Sequence, residues 1–365
     1  MKSVRLVSFA SPLELCELPI PQPSGSEVLL RVVSAGICHT DLHLMDGGYD
    51  AGRGEKLYAA DRGVKLPLTL GHEIVGRPAE TGSNIEGKPP DQDYLVYPWI
   101  GCGSCRPCDA GEENLCAQPR TLGIYRDGGY AEYVLVPHQK YLLPLNGIDP
   151  LLAAPYGCSG LTTYSALKKA GELIRDEPIV LIGAGGLGLM ALRLLKAMGG
   201  KGAIVVDIHE AKRAAALRAG ALNTVDPNAA DALQQVIAKV GSAPRVVIDF
   251  VNSESTAQLA FKGLAKGGKL VCVGLFGGAA PWPLPLISMR AITIQGNFVG
   301  TLTELSELLA LVRSSGMLPI PIAHTTLEQA NTTLEALHRG VIEGRAVIVV
   351  PPEREPDYQP IRIRQ

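Results

Sequence analysis

An excess of charge of either sign is missing from this chain: 365 residues carry 34 Lys and Arg against 36 Asp and Glu. Nothing in that balance draws the protein to nucleic acid or to an anionic membrane surface, and neither is expected as a partner. Long hydrophobic runs are missing too. The longest, Ile179 to Leu192, is 14 residues, holds four glycines and stops at Arg193, too short and too broken to span a bilayer. No secretory apolar core forms at the N-terminus, where Pro12 and Glu14 interrupt the stretch that follows Lys2 and Arg5, so a cytoplasmic location is expected. Internal repeats and low-complexity segments are also lacking. What is present is a mixed composition, 46% hydrophobic and 19% charged, in a chain long enough for two domains with cores of their own.

Eight cysteines without a secretory leader suggest metal ligands rather than disulfides. Cys102, Cys105, Cys108 and Cys116 follow C-x2-C-x2-C-x7-C, with Gly101, Gly103 and Gly111 among them. Four thiolates so close in sequence suit a closed tetrahedral Zn2+ with ligands about 2.3 Å away and no position left for substrate. We read it as a structural zinc holding a lobe poor in apolar residues, in preference to reduced surface thiols or an iron–sulfur cluster. Cys16 and Cys272 lie in strand-like runs and read as buried small apolar residues.

The first 156 residues read as short strands and loops: Val4 to Phe9, Leu13 to Leu18, Val28 to Val33, Glu73 to Arg77, Asp93 to Tyr97 and Tyr130 to Val136. From about Leu161 strands and helices alternate, the mark of a parallel sheet covered by helices. Six strand-like runs, at 179–182, 203–207, 222–225, 245–250, 269–274 and 292–299, match the number in a doubly wound dinucleotide-binding sheet. Helices are expected over His209 to Ala219, Ser253 to Lys266, Thr301 to Ser314, opened by a Thr301/Glu304 capping box, and Leu327 to Arg339. The expected fold class is therefore α/β, with a β-rich domain formed by 1–160 and 300–350, a nucleotide-binding domain at 161–299, and a tail at 351–365, rich in Pro and charge, that reads as disordered or a mobile arm.

The run Ile179-Val-Leu-Ile-Gly-Ala-Gly-Gly-Leu-Gly passes straight from a strand into the helix Leu187 to Met198 and places Gly183, Gly185 and Gly188 at the G-x-G-x-x-G positions. Glycines there permit a tight turn and let a pyrophosphate approach the helix N-terminus, where free amides and the dipole favour an anion. Gly186, Leu187 and Val273 complete the expected cofactor set. Asp207 falls 19 residues after Gly188, where a carboxylate accepts from the adenosine ribose and repels a 2′-phosphate. NAD is favoured over NADP, although Lys212 and Arg213 stand nearby.

The densest chemistry lies in Gly36-Ile-Cys-His-Thr-Asp-Leu-His, directly behind the run Val28 to Val33. Cys38, Cys158 and His72 of Gly71-His72-Glu73 would give the open three-ligand set of a catalytic zinc, but spacing alone does not select them. With the cysteine ladder, Cys158-Ser-Gly-Leu-Thr-Thr-Tyr and the glycine motif, these stretches stand in the order found in zinc-dependent medium-chain alcohol dehydrogenases, which the chain resembles to about Val350. Gly-Val-Lys-Leu-Pro-Leu-Thr-Leu-Gly-His-Glu at 63–73 and Val-Gly-Leu-Phe-Gly at 273–277 resemble the bacterial and archaeal tetrameric branch.

The resemblance implies a Rossmann domain beside a GroES-like catalytic domain, with Cys38, His72 and Cys158 on the catalytic zinc and Glu73 close enough to reach it. Asp41 is implied to orient the His ligand. Thr40 and His43 are implied to form a proton relay; Lys212 to hold the ribose; His39 and Arg345 to approach the pyrophosphate; and Thr162 to pack by the nicotinamide. Trp99 and Phe276 are implied as apolar pocket walls, and core roles suit them equally. The polar stretch Asp50 to Lys65, read as a loop, could border the pocket or a subunit contact. The expected activity is reversible hydride transfer between NAD and medium-chain or aromatic alcohols, in a homotetramer or a dimer, with pairing through 292–299 one option. A polyol dehydrogenase and a non-catalytic NADH-binding redox sensor are the alternatives.

Overall fold

The computed structural model describes residues 1–351; from residue 352 the tail expected at 351–365 lies outside the described residues. Val28–Ile37 is the hub of the first sheet. Its ten residues are almost all buried, because apolar residues fall on both faces of a strand covered on both sides. The sheet runs Leu142–Pro144, Tyr94–Val96, Glu73–Thr81, Val28–Ile37, Arg345–Val349, Ile322–Thr325, and Tyr133–Val136 also pairs with the hub. The hub continues four residues past the expected end at Val33, and there it does its positioning. Gly36 lies opposite Glu73 and Ile37 opposite Ala346, so three distant segments meet beside Cys38. A side chain on Gly36 would overlap the Glu73 carboxylate.

The second sheet has six parallel strands in the order Asn223–Val225, Ala203–Val206, Ile179–Ile182, Val246–Asp249, Lys269–Cys272, Thr293–Gly296. The order in which the chain lays down strands reverses between the third and fourth of these, which opens a crevice at the end of Ile179–Ile182. The doubly wound α/β fold is as expected. Its last strand is shorter than 292–299, because residues 297–299 leave the sheet to line the cleft. The helix expected at Ser253 to Lys266 is Glu254–Gly263, capped by Ser253 and Thr256, and Thr301 and Glu304 form the expected capping box.

Two readings change. The stretch at 50–65 is not a plain loop: Gly48–Gly52 and Glu55–Tyr58 form a hairpin. Arg53 and Gly54 both take positive φ, 57° and 81°, as a two-residue type I′ turn requires; arginine in place of the usual Asn or Gly hides the signal. Cys16 and Cys272 are half-buried rather than buried. Among the described residues no helix is long and apolar enough to cross a membrane.

Candidate active site

Cys38 ends the hub strand and caps the helix His39–Met45. His72 precedes the strand Glu73–Thr81, and Cys158 precedes the helix Ser159–Ala170. One ligand atom from each of Cys38, His72, Glu73 and Cys158 lies within 4.8 Å of the others, and all four residues are buried. His72 Nε2 and Glu73 Oε2 have no hydrogen-bond partner within the protein. Buried polar atoms are rarely left unpaired, so an imidazole nitrogen and a carboxylate oxygen without partners, converging on two thiols, fit a zinc ion by donor type. A hydrogen bond from Cys158, with His72 and Arg345 nearby, holds the Cys38 thiol well below the ordinary range.

Behind the ligands stands Asp41. Its Oδ1 is 3.4 Å from His72 Nδ1, and its Oδ2 accepts from the Cys38 amide at 2.9 Å and from the Tyr130 hydroxyl at 2.8 Å. Tyr130 is fully buried and packs where a side chain on Gly71 would run into its ring. Nothing in the sequence near Tyr130 announces this role, which depends on a partner 89 residues away. Tyr130→Phe removes one donor from the carboxylate that faces His72. It is expected to weaken zinc binding at this site by about 10–100-fold with the far-UV circular dichroism unchanged; chelator competition measures it, and undiminished affinity would contradict it.

Glu73 Oε1 accepts from Arg345 Nη2 at 2.5 Å. Burial pushes the Glu73 carboxyl up to about 7, against the pull of that guanidinium. Arg345 is 3% exposed. It packs against Gly186 of the glycine loop, yet its charge is directed at Glu73, a pairing the sequence reading did not anticipate.

In the cysteine lobe, Cys105 Sγ is 3.4 Å from Cys108 Sγ and 3.7 Å from Cys116 Sγ. Backbone amides of Cys102 and Gln118 point at Cys116 Sγ, and that of Gly103 at Cys108 Sγ. Convergent sulfurs ringed by N–H donors suit thiolates around one ion. Glu113, missed in the sequence, ties this lobe to the sheet by accepting from Gly101 N–H, Lys140 Nζ and the Tyr141 hydroxyl.

A cleft of about 240 Å³ joins the domains. It brings together Cys38, His39, Thr40, His43 and Trp99 of the first sheet's domain with Thr162, Leu187, Val273 and Phe276. Trp99 is buried, with its ring 5.4 Å from His72, whereas Phe276 is 57% exposed and lies 5.6 Å from the His39 ring. Burial lowers the His39 imidazole to about 4, so it is a neutral hydrogen-bonding group there at neutral pH. Thr40 Oγ1 lies 3.8 Å from Cys38 Sγ, and burial also lowers the His43 imidazole.

The glycine loop fits a dinucleotide. Gly183 has φ +97°, a side chain on Gly188 would strike the Gly183 carbonyl, and one on Gly185 would enter open space. The first helical bond here is from Leu189 N–H to Gly185 O, leaving the preceding amides for an anion. Asp207 Oδ2 accepts from Ala184 N–H and Oδ1 from His209 N–H, each at 2.8 Å, so the carboxylate is fixed beside the loop. Lys212 lies close to Gly340 at the same side.

Residues 24–147 match the alcohol dehydrogenase GroES-like domain, and 186–314 match the zinc-binding dehydrogenase domain. The chain is 41% identical over 351 residues to an NAD-dependent alcohol dehydrogenase of Sulfurisphaera tokodaii, covering 96% of this chain and 100% of the relative. A protein of the same description from Saccharolobus solfataricus is 41% identical over 352 residues, with 96% and 100% covered. The crystal structure of the alcohol dehydrogenase from Aeropyrum pernix superposes with a TM-score of 0.86 at 31% identity, covering 96% of this chain and 100% of that one. The chain belongs to the zinc-dependent medium-chain alcohol dehydrogenase family.

Proposed function

We propose that this protein is an NAD-dependent alcohol dehydrogenase carrying one catalytic and one structural zinc per chain, acting on medium-chain or aromatic alcohols and the matching aldehydes and ketones. The observation that carries the reading is the convergence of Cys38, His72 and Cys158, with His72 Nε2 unpaired, beside a cleft lined from both domains. When bound, zinc acidifies the substrate hydroxyl and the oxidised nicotinamide takes up the hydride. The chain's residues hold the reactants and move the proton. Thr40 Oγ1, on the cleft wall, accepts the hydroxyl proton as it releases its own, and the His43 imidazole, whose neutral form burial favours, takes up the released proton and hands it to solvent. Trp99 and Phe298, with rings 5.8 Å apart, present apolar surface to the substrate body and exclude water.

The apolar cleft argues against a polyol as substrate, since the acid lining it, Glu113, is already taken by three donors. NAD is preferred over NADP because Asp207 is fixed where a 2′-phosphate would meet it, and Arg213 is turned away to Asp226 at 3.2 Å and to the Asp207 and Ile208 carbonyls. Asp207→Asn keeps the shape and removes the charge. It is expected to shift the NAD/NADP ratio of kcat/KM toward NADP by about tenfold, or about 1.4 kcal/mol; an unchanged ratio would put the discrimination elsewhere. Clustered free thiols suit the reducing cytoplasm. A homotetramer, or a dimer, would cover the open edge strand Thr293–Gly296 and the neighbouring Leu284 and Met289, 74% and 71% exposed.

The decisive experiment measures zinc content of the purified protein and absorbance of reduced nicotinamide with a panel of alcohols, each with NAD and NADP. Fewer than two zinc ions per chain, or no turnover with any alcohol, would overturn the proposal.

A further inference from the structure

Arg62 lines the cleft. Its backbone is held in a tight turn, with Arg62 N–H donating to Ala59 O at 3.2 Å and Val64 N–H to the same carbonyl at 3.1 Å. The guanidinium carbon sits 5.6 Å from the centre of the Tyr49 ring, and that ring is 4.7 Å from His43. The turn that follows the hairpin therefore carries an arginine over Tyr49 of the hairpin, an aromatic shelf that begins at the relay histidine. Among the described residues Arg62, like the exposed Arg53 and Arg126, forms no ion pair, so its guanidinium has no carboxylate partner within the protein. Glu113, the acid on the cleft wall, is held by Gly101, Lys140 and Tyr141. One exposed cation without a carboxylate partner thus stands beside walls that are otherwise largely apolar.

We infer that Arg62 is a specificity-determining residue that receives a carboxylate at the end of the substrate remote from its hydroxyl. This rests on the alcohol dehydrogenase reading of the cleft. A guanidinium that lies over a ring and has no carboxylate partner keeps its N–H groups available, and that planar fork matches a carboxylate with two parallel hydrogen bonds. A phosphate dianion would call for further donors, and no second Lys or Arg is among the described residues lining the cleft. The favoured substrate class is therefore an alcohol, or the matching aldehyde, with an aromatic or aliphatic body and one carboxylate. The carboxylate forms and breaks no bond; it fixes the direction in which the body enters.

The test compares kcat/KM of the zinc-loaded enzyme for 4-(hydroxymethyl)benzoate and benzyl alcohol at saturating NAD. The wild type is expected to favour the carboxylate by about tenfold, which is about 1.4 kcal/mol. Arg62→Gln should abolish that preference, Arg62→Lys should retain part of it, and Arg62→Glu should reverse it toward 4-(aminomethyl)benzyl alcohol, a gain that misfolding cannot produce. Equal kcat/KM for the two alcohols in the wild type, or a preference that survives Arg62→Gln, would overturn the inference. Benzoate against benzamide binding to the enzyme with NADH, by calorimetry, reads the same residue without turnover. If neither alcohol reacts, the functional reading fails; if benzoate then also binds no better than benzamide, Arg62 fails with it.

Discussion

Replacing His72 with alanine is expected to remove the proposed catalytic zinc and to lower kcat by about four orders of magnitude while leaving the lobe at 102–116 loaded. The arithmetic starts from the metal's effect on an alcohol. Lowering its pKa from about 16 to about 7 is worth about 12 kcal/mol at 1.36 kcal/mol per unit. Losing half of that, about 6 kcal/mol, already costs about four decades in rate. His72 is the ligand to remove because it is fully buried and its Nδ1 faces Asp41 while Nε2 has no partner in the protein. Alanine there leaves two thiols and Glu73, and it also removes the imidazole that Asp41 faces. Zinc counted by mass spectrometry with kcat measured on the same sample checks both parts. A variant that loses the ion but keeps kcat within tenfold would show that the site is not catalytic, and one that keeps both ions would show that His72 is not a ligand.

What could be read in advance divides by how far the chemistry extends along the chain. The cysteine ladder and the glycine motif are each complete within about fifteen residues, and each announces itself because its geometry is set by local turns. The strand and helix alternation from Ile179 to Gly296 is legible for the same reason, although the helices Ala232–Val240 and Leu284–Met289 carry no such signal and ends such as 297–299 shift. Cys38, His72 and Cys158 were separately ambiguous and became a set only through the family's order of motifs. Tyr130 and Arg345 are different. Tyr130 meets Asp41 across 89 residues and Arg345 meets Glu73 across 272, through sheet pairings that no local pattern encodes. The hairpin at 48–58 was hidden by Arg53 in a left-handed turn position, and with it the placement of Arg62 over Tyr49.

Arg345 carries the second large effect. Arg345→Met is expected to destabilise the protein by about 3–5 kcal/mol, the usual consequence of leaving one charge of a buried pair alone. Glu73 has no exposed surface and Arg345 is 3% exposed, so water cannot replace the lost partner. The strand itself should survive, since the Arg345 amide bonds Pro321 O and the ladder to the hub strand runs from Ala346 to Val349. A second consequence separates this pair from a merely structural one. Because Arg345 also packs on Gly186, its loss loosens the loop expected to hold the cofactor, so KM for NAD should rise along with the loss of stability. Adding Glu73→Gln to Arg345→Met removes the orphaned charge. The double variant should recover more than half of the lost stability in urea unfolding at saturating zinc while KM for NAD stays high. A single variant that loses less than about 1 kcal/mol would mean the pair is effectively solvated, and a double variant no more stable than the single would place the cost in the packing of the arginine stem rather than in its charge.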